Sequence, residues 1–310
     1  MKTCPFFGKC GGCKYDFAAA DYRPTKAGVL RGMGVTGGPI WVAPGERRRA
    51  EFCFAGGMFG FFAPGSKDIV PITHCPGMVD GINAVLSDIA ALPMAGAGGA
   101  LVTQCDNGID LAITSDVSYF PADFKKAVEK LPLVRVTWNG SVVIERAVPT
   151  VTFGDRVVPY PAGAFLQPGV SGADALRDLV VSRAAGAKKV ADLFCGLGNF
   201  TFALNADGYD VVGTGTRRDL FRHPLMACHL RHYDCVVLDP PRAGAMAQCR
   251  ELSRSNVARV IYVSCNPITF MRDRKILEHG GYRKVEMIPV DQFVGSAHWE
   301  IFAVFDKDIS

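Results

Sequence analysis

Four short apolar runs dominate the second half of the chain, and each is bounded by a turn-forming or charged residue. They are Val190-Ala-Asp-Leu-Phe194, Cys235-Val-Val-Leu238, Val260-Ile-Tyr-Val263 and Ile301-Phe-Ala-Val-Phe305. Runs this short and this uniformly apolar predict strands buried on both faces. Between them lie segments of helical pattern, including one that begins after Gly198 and one over residues 174–185. That alternation predicts an α/β sheet. The first half is different. Strand patterns cover residues 49–54 and 60–62, a helical pattern covers 79–92, and residues 101–114 and 133–148 predict hairpins turning at Asn107-Gly108 and Asn139-Gly140. A further helix is predicted within 18–33. Tyr160-Pro-Ala-Gly163 reads as a linker, so the expected division is an α+β domain over 1–155, with 18–40 free to pack on its neighbour, and an α/β domain over 156–310.

Candidate chemistry collects where these strands end, which is where open α/β sheets bind ligands. The first run opens into Gly196 and Gly198, which let a backbone come close to a ligand. The motif is not G-x-G-x-x-G and lacks the lysine of a triphosphate loop. The second run ends in Asp239-Pro-Pro-Arg242, where two prolines stop any helix. The third ends in Ser264-Cys-Asn-Pro267, holding the Cys265 thiol at a strand terminus. Taken singly, a buried structural cysteine and a carboxylate capping its own turn are the plainer readings of Cys265 and Asp239.

Composition narrows the class. The chain has 310 residues, 49% hydrophobic, with no apolar stretch long enough to span a bilayer. Its first residues lack the apolar core of a signal peptide, so a cytoplasmic enzyme with no membrane association is expected. A net charge of +4 excludes a strongly basic nucleic-acid coat. Positive charge is local instead, at Arg47-Arg-Arg49 and Arg217-Arg218, which suits phosphate contacts but is also the mark of a solvated face. Eleven cysteines are many for a reducing compartment, where disulfides are rare. Cys4, Cys10 and Cys13 have the spacing C-x5-C-x2-C among glycines, and Cys75 is the choice for a fourth ligand. Four thiolates suit zinc or an iron–sulfur cluster.

Asp192-Leu-Phe-Cys-Gly-Leu-Gly-Asn-Phe-Thr201, Asp239-Pro-Pro-Arg242, Ser264-Cys-Asn-Pro267, His298-Trp-Glu300, Phe165-Leu-Gln167 and the first thirteen residues occur in an order that resembles the RNA 5-methyluridine methyltransferase family. The resemblance implies a Rossmann-like class I methyltransferase domain, apparently shortened, behind an N-terminal α+β domain carrying an iron–sulfur knuckle. It implies S-adenosyl-L-methionine as methyl donor, with Gln167, Asp192, Gly196, Gly198, Asn199, Phe200, Asp219 and Asp239 around it. Cys265 is then the nucleophile that adds to carbon 6 of uracil, and Glu300 the base that removes the carbon-5 proton. Asp239, Arg242 and Phe165 face the substrate. His298 is a supporting residue or a core histidine. Trp299 stands where relatives commonly have valine and points to the opposite face from Glu300.

Cys4, Cys10, Cys13 and Cys75 resemble the ligands of the family's [4Fe–4S] members. The spacing departs from C-x3-C-x2-C, which disfavours radical chemistry. No N-terminal RNA-binding barrel is expected, and the knuckle without it resembles the branch acting on ribosomal RNA; transfer RNA is the other target in the family. No obligate protein partner is implied.

One departure stands out. About forty positions separate Gly198 from Asp239, and each parallel crossover takes about a dozen residues plus its strand, so one intermediate strand is expected, at 209–213. The second strand and its terminal carboxylate are then missing. Gly213, Thr214 and Gly215 are the nearest replacements, none of them acidic. A noncatalytic RNA-binding relic is the alternative this departure supports.

Overall fold

The computed structural model describes residues 4–308. The first three residues, part of the segment inspected for a signal sequence, lie outside it. A cysteine-bearing knuckle leads into α1 (Tyr22–Ala27) and a single 3-10 turn, Gly28–Leu30. The helix expected somewhere in 18–33 is therefore short, and Gly32 and Gly34, both at positive φ, follow its end.

The first sheet contains β1 (Arg49–Ala55), β2 (Met58–Phe62), β3 (Ile69–Pro71), β4 (Ala97–Cys105), β5 (Gly108–Ser115), β6 (Leu133–Trp138) and β7 (Ser141–Glu145), in the spatial order β3-β2-β1-β4-β5-β6-β7. Both predicted hairpins form. At the β6–β7 turn Asn139 and Gly140 adopt φ of 46° and 81°, the two positive values that a tight two-residue turn requires. Two helices, α2 (Asp80–Ala90) and α3 (Ala122–Val128), bury Ile82, Leu86, Ile89, Phe124 and Val128 in the core that also holds Phe52, Val102, Leu111 and Trp138. Because α3 lies between them, β5 and β6 run parallel. Neither α3 nor β3 is legible in the pattern.

A small hairpin, β8 (Thr150–Phe153) with β9 (Arg156–Pro159), precedes α4 (Val170–Ala184). Helix α4 starts four residues before the predicted 174, and the Glu46 carboxylate accepts the Ser171 N–H at 2.9 Å in its first turn.

The second sheet follows: β10 (Val190–Leu193), α5 (Asn199–Leu204), β11 (Asp207–Asp210), β12 (Thr216–Arg217), α6 (Ala227–Leu230), β13 (Cys235–Leu238), α7 (Met246–Ser253), β14 (Arg259–Ser264), α8 (Pro267–His279), β15 (Arg283–Val290) and β16 (Glu300–Asp306). Its order is β12-β11-β10-β13-β14-β16-β15. Every residue of β10 and β13 is buried, as the apolar runs predicted.

The expected topology between Gly198 and Asp239 needs correction. Two parallel strands occupy the edge beyond β10, with Leu193 paired to Tyr209 and Tyr209 to Thr216. No strand position is empty. What is absent is a crossover helix, because residues 211–215 pass from β11 to β12 directly. The strand also ends at Asp210 rather than Gly213.

Helix α1 docks on the second sheet's terminal segment. Lys26 and Asp291 form an ion pair with both side chains fully buried, and the Tyr22 hydroxyl donates to Asp291 at 2.8 Å. The Trp299 indole N–H donates to the Lys26 carbonyl at 3.4 Å, and the Trp41 ring lies 5.2 Å from that of Trp299. Removing one member of such a pair strands the other charge away from water. Lys26→Met is expected to cost about 3–5 kcal/mol, which thermal denaturation would register as a fall of at least about 6 °C. An unchanged melting temperature would show that Asp291 takes up its proton at no cost.

Candidate active site

Three strand ends converge. In the antiparallel ladder between β14 and β16, Ser264 pairs with Ile301, so the next step outward brings Cys265 beside Glu300. In the parallel ladder Leu238 pairs with Tyr262, which sets Asp239 on the neighbouring strand opposite Val263, two residues before Cys265. Asn266 ties the turns together: its side-chain amide donates to the Arg242 carbonyl at 2.9 Å, and its Oδ1 accepts the Ile268 N–H at 3.1 Å as the cap of α8. The proline at the start of α8 has no N–H to lose there.

Burial sets the electrostatics. Glu300 is 2% exposed, and desolvation, then the Asp239 carboxylate, holds its carboxyl well above the usual range. Asp239 is pushed up to about 8 by burial and then by Asp192, against the Gln167 amide, which donates to its Oδ2 at 3.2 Å. Burial raises Cys265 to about 11; Glu300 and Asp239 add to this, and Arg242 opposes it. Three acidic groups in one half-buried site do not all ionise together. Burial and like charge therefore disfavour the Cys265 thiolate, which forms when an ionised neighbour takes its proton.

Gln167 is wired to both sides. Its Oε1 accepts from Gln292 at 3.2 Å, and its backbone carbonyl accepts from the Arg48 guanidinium at 3.1 Å. The arginine run is thus no free solvated face: Arg47, Arg48 and Arg49 are all half-buried. Arg49 lies 5.5 Å from the Phe165 ring, which is 60% exposed beside the site. Arg242 is exposed. Trp299 is buried against Trp41, on the face away from Glu300 as alternation predicts, and His298 stands exposed by Phe293 with its proton affinity lowered by partial burial.

The glycine loop forms the other wall. Asp192 is fully buried in β10; its Oδ2 accepts the Thr201 hydroxyl at 2.6 Å, and its Oδ1 has no partner among the described residues. Phe194 adopts φ of 65°, a left-handed conformation a bulky side chain rarely takes. Gly196 and Gly198 also have positive φ. Phe200 is buried below the loop, and the Asn199 amide nitrogen is buried without a partner among the described residues.

Asp210 was missed. Reading the strand through to Gly213 hid the carboxylate at its true end. It accepts the Gly196 N–H at 2.8 Å and the N–H of Val211 at 2.6 Å. The segment after it lies on the glycine loop: Thr214 N–H donates to the Gly196 carbonyl at 3.2 Å, and a Cβ at Gly213 would stand 1.7 Å from that oxygen. Asp219, expected among the cofactor residues, spends its carboxylate on the N–H groups of Phe221 and Arg222, at 3.0 and 3.2 Å.

Cys4, Cys10, Cys13 and Cys75 line one cavity. Burial, then the neighbouring Cys75, pushes Cys13 up to about 12, opposed by Arg47. Among the described residues, no three metal-binding side chains stand close enough to hold a single ion. The knuckle sits on the catalytic side of the molecule, since Lys14 and Tyr15 both donate to the Gly295 carbonyl at 2.8 Å.

Comparison with known proteins identifies this assembly. Residues 213–307 match the sequence model of the tRNA (uracil-5-)-methyltransferase family. An uncharacterized RNA methyltransferase of Agrobacterium fabrum is 35% identical over 345 aligned positions, covering 97% of this chain and 83% of the relative. Those 345 positions exceed the 310 residues here, so at least 35 positions of the relative have no counterpart in this chain. The 23S rRNA (uracil(1939)-C(5))-methyltransferase RlmD of Cronobacter sakazakii is 29% identical, with 98% and 82% of the two chains covered. Among solved structures, the Pyrococcus abyssi tRNA (uracil-54, C5)-methyltransferase in complex with S-adenosyl-L-homocysteine superposes with a TM-score of 0.72 at 18% identity, over 94% of this chain and 83% of that one, and so shares its fold. With its cysteine, glutamate and Asp-Pro-Pro turn set at three adjoining strand ends, the chain belongs to the RNA methyltransferase family of these relatives, and its residues 213–307 match the tRNA (uracil-5-)-methyltransferase model.

Proposed function

We propose that this protein methylates carbon 5 of a uridine in RNA, with large-subunit ribosomal RNA as the substrate, in the cytoplasm. The observation that carries the reading is the placement of Cys265, Glu300 and Asp239 on neighbouring strand ends, with Glu300 buried and the other two half-buried. The relative acting on 23S rRNA supports the choice of RNA.

The residues fit S-adenosylmethionine on one side. The unpartnered Oδ1 of Asp192 offers a buried acceptor for an ammonium group, and Gln167 and Asp239 adjoin it. On the other side Asp210 stands where a ribose diol is held, at the end of the second strand. When bound, the cofactor supplies an electrophilic methyl group. Cys265 loses its thiol proton to the Asp239–Glu300 pair and then to solvent. Its sulfur bonds to carbon 6 of the uracil, and the ring electron pair moves to carbon 5, which takes the methyl. Glu300 then removes the carbon-5 proton, the carbon–sulfur bond breaks, and the ring double bond returns. Arg242 and Phe165 border the uracil, and Asn199, Phe200, Gly196 and Gly198 shape the cofactor loop; Asp219 supports the edge beyond it.

Cys4, Cys10, Cys13 and Cys75 hold a [4Fe–4S] cluster in this reading. The support for this reading is the C-x5-C-x2-C spacing and the single cavity that the four cysteines line. The cluster would hold the knuckle against Gly295, and residues 1–155 would form the RNA-binding part, with 156–310 the catalytic part.

A second reading, an RNA-binding relic without turnover, is favoured by one observation: Gly213 and Thr214 lie on the glycine loop, and the region is shortened there. Calorimetry with S-adenosylmethionine on anaerobically purified protein separates the two. Micromolar binding, together with 5-methyluridine appearing in a 23S rRNA transcript, is the expected result. A folded protein that binds RNA but no cofactor would establish the relic.

A further inference from the structure

One fully buried carboxylate, Asp273 in the second turn of α8, stands outside the reaction centre. Its Oδ2 accepts the Ala245 N–H at 2.6 Å and the Tyr262 hydroxyl at 2.7 Å, and its Oδ1 accepts the Arg272 Nε at 2.8 Å. The Arg272 head group also donates to the Ala243 carbonyl at 2.9 Å, and the Thr269 hydroxyl to the Arg242 carbonyl at 3.1 Å. The bonds from α8 to this turn thus fall on residues 242–245, beyond the prolines. Asp239 is held separately, by the Gln167 amide and by its own N–H on the Leu193 carbonyl at 3.3 Å. The Gly244 N–H donates to the Pro241 carbonyl at 2.8 Å, which puts Arg242 at the first central position of a tight turn. Gly244 has φ of 74°, and a Cβ there would stand 2.5 Å from the Asp273 Oδ2, so the turn is seated directly on the carboxylate. Tyr262 lies on β14, the strand that ends at Cys265. A carboxylate buried this deeply is satisfied only when helix, strand and turn keep one arrangement.

We propose that Arg272 and Asp273 are positioning residues for the reaction: with Tyr262 and Thr269 they clamp the 241–244 turn to the Cys265 strand and so set where Arg242 stands. Neither reaches the substrate, and both act through Arg242. The Arg242 side chain is exposed, so the backbone of its turn is what fixes its place. A displacement of about 1 Å at a reacting site can cost about 10²-fold in rate. Arg242 also bears on the thiol, where it opposes the burial and the Glu300 and Asp239 carboxylates that disfavour the Cys265 thiolate. The effect on methylation rests on the RNA methyltransferase reading; the effect on the thiol does not.

The test uses the full chain and single-turnover methyl transfer to a 23S rRNA transcript. Arg272→Gln and Thr269→Val are each measured alone and combined with Arg242→Gln. Arg272→Gln is expected to slow transfer by about 10–10²-fold, and Thr269→Val by less. Neither should slow the Arg242→Gln protein any further, because residues that act through one group do not add. Losses that add in the combined variants would mark a merely structural role and overturn the proposal, as would wild-type rates in both single variants. Thr269→Val leaves every bond to Asp273 in place, so it carries the test if Arg272→Gln does not fold. A second measurement needs no RNA. The rate at which iodoacetamide alkylates Cys265, read on its peptide by mass spectrometry across pH, follows the thiolate fraction. With Arg242 out of place, that profile should move to higher pH in both single variants, although Thr269→Val removes no charge; an unmoved profile in both would overturn the proposal. If the wild-type protein does not methylate the transcript, the function falls and the alkylation profile decides the clamp. If it methylates and the losses add, only the clamp falls.

Discussion

Cys265→Ala removes RNA methylation and the covalent protein–RNA adduct together. The expected loss of turnover is on the order of 10⁴-fold or more, because no other group at the strand ends can make the bond to carbon 6. Cys249 in α7, Cys235 in β13 and Cys195 in the loop after β10 are buried elsewhere and cannot substitute. The variant should keep its fold, since Cys265 is only half-buried and makes no hydrogen bond through its sulfur among the described residues. Two measurements decide the matter: single-turnover methyl transfer to a 23S rRNA transcript, and denaturing gel electrophoresis for the adduct. Turnover within tenfold of wild type would remove Cys265 from the mechanism.

Glu300→Gln is expected to do something different. The amide keeps the size and hydrogen-bonding shape of the side chain but cannot take the carbon-5 proton. Addition and methyl transfer then proceed, elimination stalls, and a methylated adduct accumulates while turnover falls about 10²–10⁴-fold. The pH dependence gives an independent reading. Glu300 titrates well above the ordinary carboxylate range because burial and Asp239 disfavour its charge. In the wild type, turnover rises with pH through that elevated titration, and the variant loses the rise. Stability moves the opposite way. A carboxyl whose folded value is raised contributes its full stability below the unfolded value, about 4.3, and loses it as pH rises through the folded value. The glutamine variant carries no such cost, so its melting temperature should gain on wild type as pH increases. A variant that resolves its adduct at the wild-type rate would place the base elsewhere.

Much of this site is legible in the chain because it sits where uniformly apolar strands stop. Val260-Ile-Tyr-Val263 and Cys235-Val-Val-Leu238 read as buried strands from composition alone, and their last residues inherit a position at the sheet's carboxyl edge. Turn chemistry was equally direct at Asn139-Gly140. Asp210 was hidden for a local reason. Val211 and Val212 extend the apolar pattern past the true strand end, yet both are exposed and pair with nothing in the ladder. Periodicity cannot see that a strand has run out of neighbours. The Gln167–Asp239 contact was invisible for another reason, since 72 residues separate the partners and neither has a local signature. Helix α3 is short, and its burial of Phe124 and Val128 is decided by β7 and Trp138 rather than by its own pattern.

The two-residue strand β12 has a bearing on how the molecule survives in a crowded solution. A sheet's outermost strand presents unpaired backbone groups to any other chain with an open edge, and long apolar edges seed aggregation. Here one edge of the second sheet ends in Thr216 and Arg217, too short to template a partner, followed by the cationic Arg218. The exposed Val211 and Val212 lie in a bend rather than in an extended ladder. With no crossover helix to cover this margin, the stub and its charges leave it little backbone for another chain to pair with.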